Sequence, residues 1–328
     1  MAKVLCTALS AETGPHFDLL RDAGFECDVV PRDVDLWQSQ NLTEQIQGYC
    51  GILAGSEPYT RDVLQAAPEL RVLSRTGVGF DAIDLPTCDE LNVVVATTPG
   101  VNHDSVAEHS IALLMGVARG FPGYHSDVAN CSWGREARPR VQGSTIGLIG
   151  LGRIGQATAW RAAGMGMKVL ACDPYAPEDF VREQEIEVVS LDELCSRSDY
   201  ISLHSPVTPE TKYLINADTI AKMKDGVVII NTARGALIRE DDLVPALKSG
   251  KVRAAGLDVF ETEPLPDDSP LLTLPNVLFS PHIAGLDNES HEATFAMAAD
   301  TVIQLRDGRW PAERIQNLSG VSDWSWDR

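Results

Sequence analysis

Three apolar segments of the chain each run into an ionisable side chain just past their carboxyl ends. In chain order these side chains are Arg234, Glu263 and His282. Short apolar runs of this kind are typical of buried parallel strands. Because parallel strands share one carboxyl edge, and ligands bind at that edge in open α/β sheets, we expect the three side chains to form one site.

The three residue types match the functions that reduction of a 2-keto acid requires. The planar guanidinium of Arg234 suits the binding of a carboxylate and the polarisation of the adjacent ketone. His282 carries the side chain that titrates near neutral pH and can pass a proton to the ketone oxygen. A carboxylate such as Glu263 keeps a neighbouring imidazole protonated. Each residue alone would be read as a surface charge or loop residue, so the prediction of catalysis rests on their shared position.

A glycine-rich turn precedes these segments. Residues 150–155 read Gly-Leu-Gly-Arg-Ile-Gly, between an apolar run at 146–149 and a predicted helix. In a dinucleotide-binding turn the three glycines permit the bend, the approach of a pyrophosphate and close packing of helix on strand, and the helix N-terminus attracts the anion. The predicted cofactor contacts here are Gly150, Gly152, Arg153, Ile154 and Gly155.

Asp173 follows the next predicted strand, residues 169–172. A carboxylate at this point binds the adenosine ribose hydroxyls and repels a 2′-phosphate. The residues after it, Pro174 and Tyr175, supply no cation for such a phosphate. The sequence therefore predicts NAD rather than NADP.

Strand-like and helix-like segments alternate along nearly the whole chain, which predicts βαβ units and parallel sheets. Two longer predicted helices, 105–119 and 289–306, separate the alternating series. We expect an α/β protein of two Rossmann-like or flavodoxin-like parallel-sheet domains with a cleft between them. Residues 1–101 plus 289–328 would form the substrate-binding, catalytic domain, and residues 102–288 the NAD-binding Rossmann domain.

Composition excludes several classes of partner. The formal net charge of −20 argues against nucleic acids and anionic membrane surfaces. No apolar run approaches the ~20 residues of a membrane span, and the N-terminus does not resemble a secretory signal. The seven cysteines are scattered and form no C-x-x-C pair. We expect reduced thiols, no metal site and a cytoplasmic location.

Further segments carry a family resemblance. Residues 75–81 read Arg-Thr-Gly-Val-Gly-Phe-Asp, 98–102 Thr-Pro-Gly-Val-Asn, 105–109 Ser-Val-Ala-Glu-His and 203–206 Leu-His-Ser-Pro. With the glycine turn and the three strand-end segments, they make the chain resemble the D-isomer-specific 2-hydroxyacid dehydrogenases, especially the phosphoglycerate dehydrogenase-like branch. The match covers nearly the whole chain.

The resemblance implies a role for each matching residue. Arg234, Glu263 and His282 would be the catalytic residues, and Asp258 would bind the nicotinamide carboxamide. The backbone N–H groups of Val78 and Gly79 would bind the substrate carboxylate. The other implied contacts are His204, Pro206, Thr232 and Ala233 on the cofactor, and Arg75 and Arg234 on the substrate. The family also implies a homodimer joined through the cofactor domains, with Trp133 packing at an interface.

Other residues receive structural predictions. We expect His109 to pack within its helix, and His16, His125 and His291 to lie at the surface. The tail that holds Trp324 and Trp326 is either docked or frayed.

The substrate stays open at this stage. Arg75 matches an arginine that some phosphoglycerate dehydrogenases use, but the second basic position is occupied here by Gly55 or Ser56. Formate and phosphite dehydrogenases are disfavoured, because they carry Gln at Glu263 and Lys at Val78 respectively. The candidates are 3-phosphoglycerate with its keto acid, a glyoxylate or hydroxypyruvate reductase, and an NAD(H)-sensing binding protein like the C-terminal-binding-protein corepressors.

Overall fold

The chain folds into two α/β units. The computed structural model describes residues 2–8, 11–318 and 324–327. One unit comprises Met1–Asn102 with Asp287–Arg328, and the other comprises His103–Leu286. Each is built around its own parallel sheet, in agreement with the predicted fold class. Below they are called the first and second unit.

The first unit is built on a five-stranded parallel sheet of order β2-β1-β3-β4-β5, the flavodoxin-like order. Two of its strands are buried along their whole length, as expected when helices cover both faces of a sheet. The strands are β1 (Ala2–Cys6), β2 (Phe25–Val29), β3 (Gly51–Ala54), β4 (Val72–Arg75) and β5 (Val94–Ala96).

Short helices connect these strands. Asp84 caps the helix that precedes β5, because its side chain accepts a 3.1 Å hydrogen bond from the Thr87 N–H. The helices are α1 (His16–Asp22), α2 (Ser39–Gln45), α3 (Arg61–Gln65) and α4 (Leu85–Glu90).

The second unit is built on a seven-stranded parallel sheet of order β12-β11-β10-β9-β6-β7-β8. The strand order reverses beside β6, and such a switch point opens a ligand crevice at the carboxyl ends of the strands. The strands are β6 (Thr145–Ile149), β7 (Lys168–Cys172), β8 (Glu187–Val188), β9 (Tyr200–Leu203), β10 (Val227–Asn231), β11 (Val252–Leu257) and β12 (Val277–Phe279).

Seven helices surround this sheet. They are α5 (His103–Ala118), α6 (Phe121–Ala129), α7 (Arg153–Gly164), α8 (Glu178–Glu183), α9 (Leu191–Arg197), α10 (Ala217–Lys222) and α11 (Glu240–Ser249). Glycines let α5 lie close to the strands. A Cβ on Gly256 of β11 would come within 2.8 Å of Leu113 Cβ, and one on Gly116 within 2.7 Å of Leu278 Cδ2.

The last helix, α12 (Asn288–Arg306), returns the chain to the first unit and buries Phe295, Ala298 and Val302 in its core. The described part of the tail is docked on the same unit. Trp324 Nε1 donates a 3.1 Å hydrogen bond to Asn92 O, and the Trp326 ring packs edge-on against Phe25 at 5.9 Å. None of the helices in the described residues has the length and hydropathy of a bilayer span.

The prediction that His16 lies at the surface is wrong. Its side chain is fully buried and its ring stacks on Phe295 at a centroid distance of 4.6 Å. Burial, with the nearby His291, lowers the pKa of His16 to about 4. An amphipathic helix with a histidine as its first residue gives no sign that a neighbouring helix covers that end.

Candidate active site

Arg234, Glu263 and His282 follow three adjacent strands of the second sheet. β11 lies between β10 and β12, and all three strands run parallel. The three side chains therefore leave the sheet at one edge. The apolar runs that precede these three residues predicted this arrangement.

His282 and Glu263 form a direct pair. The distance from His282 Nδ1 to Glu263 Oε2 is 2.7 Å, and Glu263 Oε1 accepts a 2.9 Å hydrogen bond from the Phe260 N–H. Burial raises the pKa of the Glu263 carboxyl, but the hydrogen bond and charge of His282, the Phe260 N–H and the charge of Arg234 outweigh it, so that pKa lies below its usual value. An ionised carboxylate thus fixes the imidazole through Nδ1, and Nε2 is the nitrogen left for substrate.

A close approach of two backbone segments brings Arg234 towards this pair. Gly235 follows Arg234, and a Cβ there would lie within 1.9 Å of the backbone C and O of Phe260. No residue larger than glycine fits. Arg234 Nη1 donates a 2.6 Å hydrogen bond to Ala233 O, which orients the guanidinium.

The segment around His282 is anchored by Asp258, whose side chain is fully buried. One carboxylate oxygen accepts hydrogen bonds from Ser280 Oγ (2.5 Å) and the Ile283 N–H (3.0 Å), and the other from the Ala284 N–H (2.8 Å). The His282 N–H donates to Asp258 O at 2.8 Å, and His282 has a φ of 54°, in the left-handed region. Asp258 therefore sets the backbone of the histidine segment. Its contact with the nicotinamide stays a prediction.

Sequence reasoning missed the side chains that support Asp258 from α5. His109 Nε2 lies 2.7 Å from Ser280 Oγ and 3.5 Å from Asp258 Oδ1, and Ser105 Oγ donates a 2.8 Å hydrogen bond to Ala284 O. His109 was predicted as a packing residue of its helix, and its contacts with Ser280 and Asp258 join that helix to the histidine segment. The sequence carried only part of the signal: polar residues spaced i, i+4 in an apolar helix share one face, but nothing in the segment tells which loop that face contacts.

The glycine turn has the geometry that a dinucleotide pyrophosphate requires. A Cβ on Gly150 would come within 2.7 Å of the His204 backbone, and one on Gly155 within 2.3 Å of Gly150 O. Both positions therefore require glycine, one for the bend and one for the packing of helix on strand.

The ligand side of this turn is open. A Cβ on Gly152 would meet nothing within 4 Å, Arg153 is exposed and Ile154 is half-buried. α7 begins at Arg153, so its N-terminal N–H groups point into this space. The turn fits a bound dinucleotide.

Asp173 lies at the end of β7 beside the turn. Its Oδ2 accepts a 2.6 Å hydrogen bond from the Leu151 N–H, and its Oδ1 a 2.7 Å bond from the Tyr175 N–H. The side chain is only half-buried. Each oxygen has a further lone pair, so the carboxylate can hold the turn and accept ribose hydroxyls together.

The other predicted cofactor contacts lie on the neighbouring strand ends. His204 and Pro206 follow β9, and Thr232 and Ala233 follow β10. Among the described residues His204 Nδ1 is buried and has no hydrogen-bond partner, and burial lowers the pKa of His204 to about 4. Thr232 Oγ1 lies 2.7 Å from Ser110 Oγ. Contact of these residues with the cofactor stays a prediction.

The predicted substrate contacts Arg75, Val78 and Gly79 belong to the first unit, at the end of β4 and in the loop after it. Arg75 Nη1 donates to Thr76 O at 2.8 Å and to Ala54 O at 3.5 Å. Within the described chain no residue accepts a hydrogen bond from the Val78 or Gly79 N–H. Two consecutive free N–H groups in a partly exposed loop are suited to bind an anion.

Metal ligands do not cluster in this protein as far as the structure describes it: the described residues contain no group of three or more His, Cys, Asp and Glu side chains arranged to hold an ion. The chemistry available at the site is acid–base chemistry by a histidine–carboxylate pair beside an arginine. The glycine turn lies on the same sheet. Fold and site together are those of an α/β oxidoreductase that depends on a dinucleotide.

Comparison with known proteins identifies the family. Residues 111–284 match the family model for the NAD-binding domain of D-isomer specific 2-hydroxyacid dehydrogenases. The chain is 36% identical over 297 residues to the glyoxylate reductase of Korarchaeum cryptofilum, covering 86% of this chain and 89% of that protein. The chain belongs to the D-isomer specific 2-hydroxyacid dehydrogenase family, and its second unit contains the NAD-binding domain.

Two further relatives bear on cofactor and substrate. The D-3-phosphoglycerate dehydrogenase of Methanocaldococcus jannaschii is 40% identical over 265 residues, which are 80% of this chain and 50% of that protein, so the chain spans about half its length. The crystal structure of D-lactate dehydrogenase from Aquifex aeolicus, complexed with NAD and lactic acid, superposes with a TM-score of 0.80 at 31% identity, covering 93% of this chain and 96% of that one.

Proposed function

We propose that the protein is an NAD-dependent 2-hydroxyacid dehydrogenase that transfers a hydride between NAD(H) and the second carbon of a small 2-hydroxy or 2-keto acid. The observation that carries this proposal is the 2.7 Å pair of His282 Nδ1 and Glu263 Oε2, on the sheet edge that also holds Arg234 and the glycine turn.

Each residue of the site has its own part in this reaction. Arg234 binds the substrate carboxylate and polarises the ketone. His282 donates the Nε2 proton to the ketone oxygen as the alcohol forms, and takes it back in the reverse direction. Glu263 holds Nδ1 and stabilises the imidazolium. NAD(H), when bound, supplies or accepts the hydride at that carbon.

We propose that Val78 and Gly79 bind the substrate carboxylate through their N–H groups, and that Arg75 adds positive charge to the same loop. The first unit would thus be the substrate-binding domain and the second the cofactor domain. The free N–H groups of this loop support that division.

We propose NAD as the preferred cofactor because Asp173 presents a carboxylate where a 2′-phosphate would lie. The variant Asp173→Ala is expected to raise the ratio of kcat/KM with NADPH to that with NADH by ~10-fold or more. The control is Asp179→Ala, an exposed carboxylate in the same unit. If the ratio of kcat/KM with NADPH to that with NADH is unchanged in Asp173→Ala, Asp173 does not select the cofactor.

We propose a homodimer joined through the second unit. Residues 130–140 of this unit are exposed, and they carry Trp133, which is 77% exposed; Phe121 nearby in the chain is 60% exposed. Contiguous exposed apolar surface is typical of association sites, and we propose that these aromatic side chains belong to such a surface. Light scattering should give the dimer mass for the native chain and the monomer mass for a Trp133→Ser, Phe121→Ser double variant.

We propose a cytoplasmic location, supported by the seven cysteines, all free thiols in the structure. Fractionation of the source cells with an antibody to the protein tests this.

The test of the activity is NADH oxidation with 3-phosphohydroxypyruvate, hydroxypyruvate, glyoxylate and pyruvate, with NADH binding measured in parallel. Turnover of at least one acid at a kcat of order 1 s⁻¹ or above is expected. A different outcome would contradict the proposed enzyme activity: the protein binds NADH, turns over none of the acids, and captures a defined peptide only when NADH is bound. The proposed function would then be that of a corepressor-like binding protein.

A further inference from the structure

The carboxyl edge of the first sheet holds a buried carboxylate that the proposed reaction does not use. Glu57 lies in the loop after β3 and is 1% exposed. Its Oε1 accepts hydrogen bonds from Tyr59 Oη at 2.6 Å, from the Gly55 N–H at 3.0 Å and from Thr7 Oγ1. Thr7 follows β1, so the loops of two adjacent strands are tied to one oxygen. Convergent donors of this kind are how an ionised carboxylate is held away from water.

This carboxylate occupies the space in which a side chain at position 55 would lie. A Cβ on Gly55 would come within 2.4 Å of Glu57 Oε2 and within 3.0 Å of Ala8 Cα. The loop after β3 therefore holds a buried carboxylate at this point, and a side chain at position 55 would fit only if that carboxylate moved.

The same carboxylate lies close in the fold to Arg75. Arg75 pairs in register with Ala54 across β4 and β3, and its Nη1 approaches Ala54 O at 3.5 Å. Glu57 accepts a hydrogen bond from the N–H end of the same peptide group, that of Gly55. The Arg75 guanidinium and the Glu57 carboxylate thus contact the two ends of one peptide group, and their fields oppose one another. The carboxylate therefore offsets part of the positive charge that Arg75 offers to an anion at this edge.

We propose that Glu57 is a specificity-determining residue that excludes substrates with an anionic group on the third carbon. The substrate class is then short 2-keto acids. Where these acids have a third carbon, it carries hydrogen or a hydroxyl group. This inference rests on the proposed function, in which the loop after β4 binds the substrate carboxylate. A phosphate on the third carbon brings a second anion, with a charge near −2, to the edge that holds Glu57. Because Glu57 is out of water, its repulsion of that anion is poorly screened.

The experiment compares kcat/KM for hydroxypyruvate and 3-phosphohydroxypyruvate, two acids that differ only in the phosphate. The native chain is expected to favour hydroxypyruvate by ~100-fold or more. Glu57→Gln keeps the shape of the side chain and removes its charge, and it should narrow that preference by ~10-fold, chiefly through a lower KM for the phosphorylated acid. Glu69→Gln, which removes an exposed carboxylate from the same unit, should leave the preference unchanged.

A second variant covers the case in which Glu57→Gln does not fold. Ser56 is exposed and adjacent to Glu57, so Ser56→Arg adds a cation to the same loop without touching the buried hydrogen bonds. It should also shift the preference towards the phosphorylated acid by ~10-fold.

The outcomes separate this inference from the proposed function. Turnover of both acids with a preference of the native chain for the phosphorylated one overturns the role of Glu57 and leaves the proposed dehydrogenase intact. The role of Glu57 is also overturned if a folded Glu57→Gln or Ser56→Arg variant prefers hydroxypyruvate over 3-phosphohydroxypyruvate as strongly as the native chain does. No turnover of any keto acid by the native chain, with NADH bound, overturns both proposals.

Discussion

Asp258 is the residue on which the most contacts of the candidate active site converge. Its carboxylate accepts hydrogen bonds from Ser280, Ile283 and Ala284, and its carbonyl accepts one from the His282 N–H. The histidine segment is thereby held from both sides. Such support keeps a reacting atom within a fraction of an ångström of its productive position.

The first prediction concerns Ser280, which links His109 of α5 to Asp258. Ser280→Ala removes this link without touching His282 or the glycine turn, so it should loosen the position of the imidazole. We expect kcat to fall ~10-fold while KM for NADH changes less than ~3-fold. Ser249→Ala in the same unit is the control. If the Ser280→Ala enzyme has the native kcat, the His109–Ser280 contact does not position the imidazole and serves only packing.

At the residue scale, the ionisable side chains could be read from the sequence, but their supports could not. Arg234, Glu263 and His282 were predicted because each ends an apolar strand. His109 was expected only to pack, since nothing in its own segment tells which loop lies across the helix. The burial of His16 was missed for the same reason: it depends on Phe295, which lies far away in the chain.

At the scale of elements, close backbone approaches at glycines set the geometry of the strand ends. Gly155 lets α7 start against the turn after β6, and Gly235 lets the chain after β10 touch the chain after β11. These contacts are made with main-chain atoms, which cannot move aside as a flexible side chain can. The glycines therefore control where the ends of the strands lie.

The second prediction follows for Gly235. In Gly235→Ala the new Cβ would lie within 1.9 Å of Phe260 backbone atoms, so the two segments must separate and Arg234 must move relative to Glu263. We expect a loss of ~1–3 kcal/mol in the free energy of unfolding and a fall in kcat/KM of ~10-fold or more. Denaturant unfolding and steady-state kinetics measure the two effects.

Gly123→Ala is the matched control for this prediction. Gly123 lies inside α6, and a Cβ there would meet nothing within 4 Å. Alanine should therefore be neutral or stabilise the helix by up to ~1 kcal/mol. Equal effects of the two substitutions would show that backbone contact at Gly235 is not what fixes the strand ends.

The elements themselves were predictable to different degrees. The strands beside the glycine turn are apolar runs, and the predicted ranges 146–149 and 169–172 each begin one residue after the observed strands β6 and β7. α6 buries none of its residues, so it lacks the apolar periodicity by which a helix is recognised. The docking of Trp324 was undecidable from the sequence because its partner, Asn92 O, is a backbone group of a distant turn.

At the scale of the whole molecule, buried histidines make stability depend on pH. The pKa of His16 is about 4 in the folded chain against an ordinary value of 6.5, because burial disfavours its charged form. Below pH 6.5 the unfolded chain therefore takes up a proton that the folded chain does not. Stability from this group is present above pH 6.5 and is lost as the pH falls towards 4.

The third prediction is the size of that loss. Between pH 6.5 and pH 4, His16 should lower the free energy of unfolding by about 3 kcal/mol. In His16→Phe the free energy of unfolding should fall by about 3 kcal/mol less over this pH range than in the native chain. The decrease that is left comes from other groups such as His204. His125→Phe, at an exposed position, should keep the native slope. Parallel pH profiles for all three proteins would contradict the buried, uncharged state of His16.

We propose that the His282–Glu263 pair transfers the proton that accompanies hydride transfer to a 2-keto acid. The most direct test is kcat for NADH-dependent reduction by the native chain and by His282→Gln, with the Kd for NADH measured on both. We expect kcat to fall by ~10²–10⁴-fold while the Kd stays unchanged. A His282→Gln enzyme that keeps kcat within ~3-fold of the native value, at the same Kd, would contradict it.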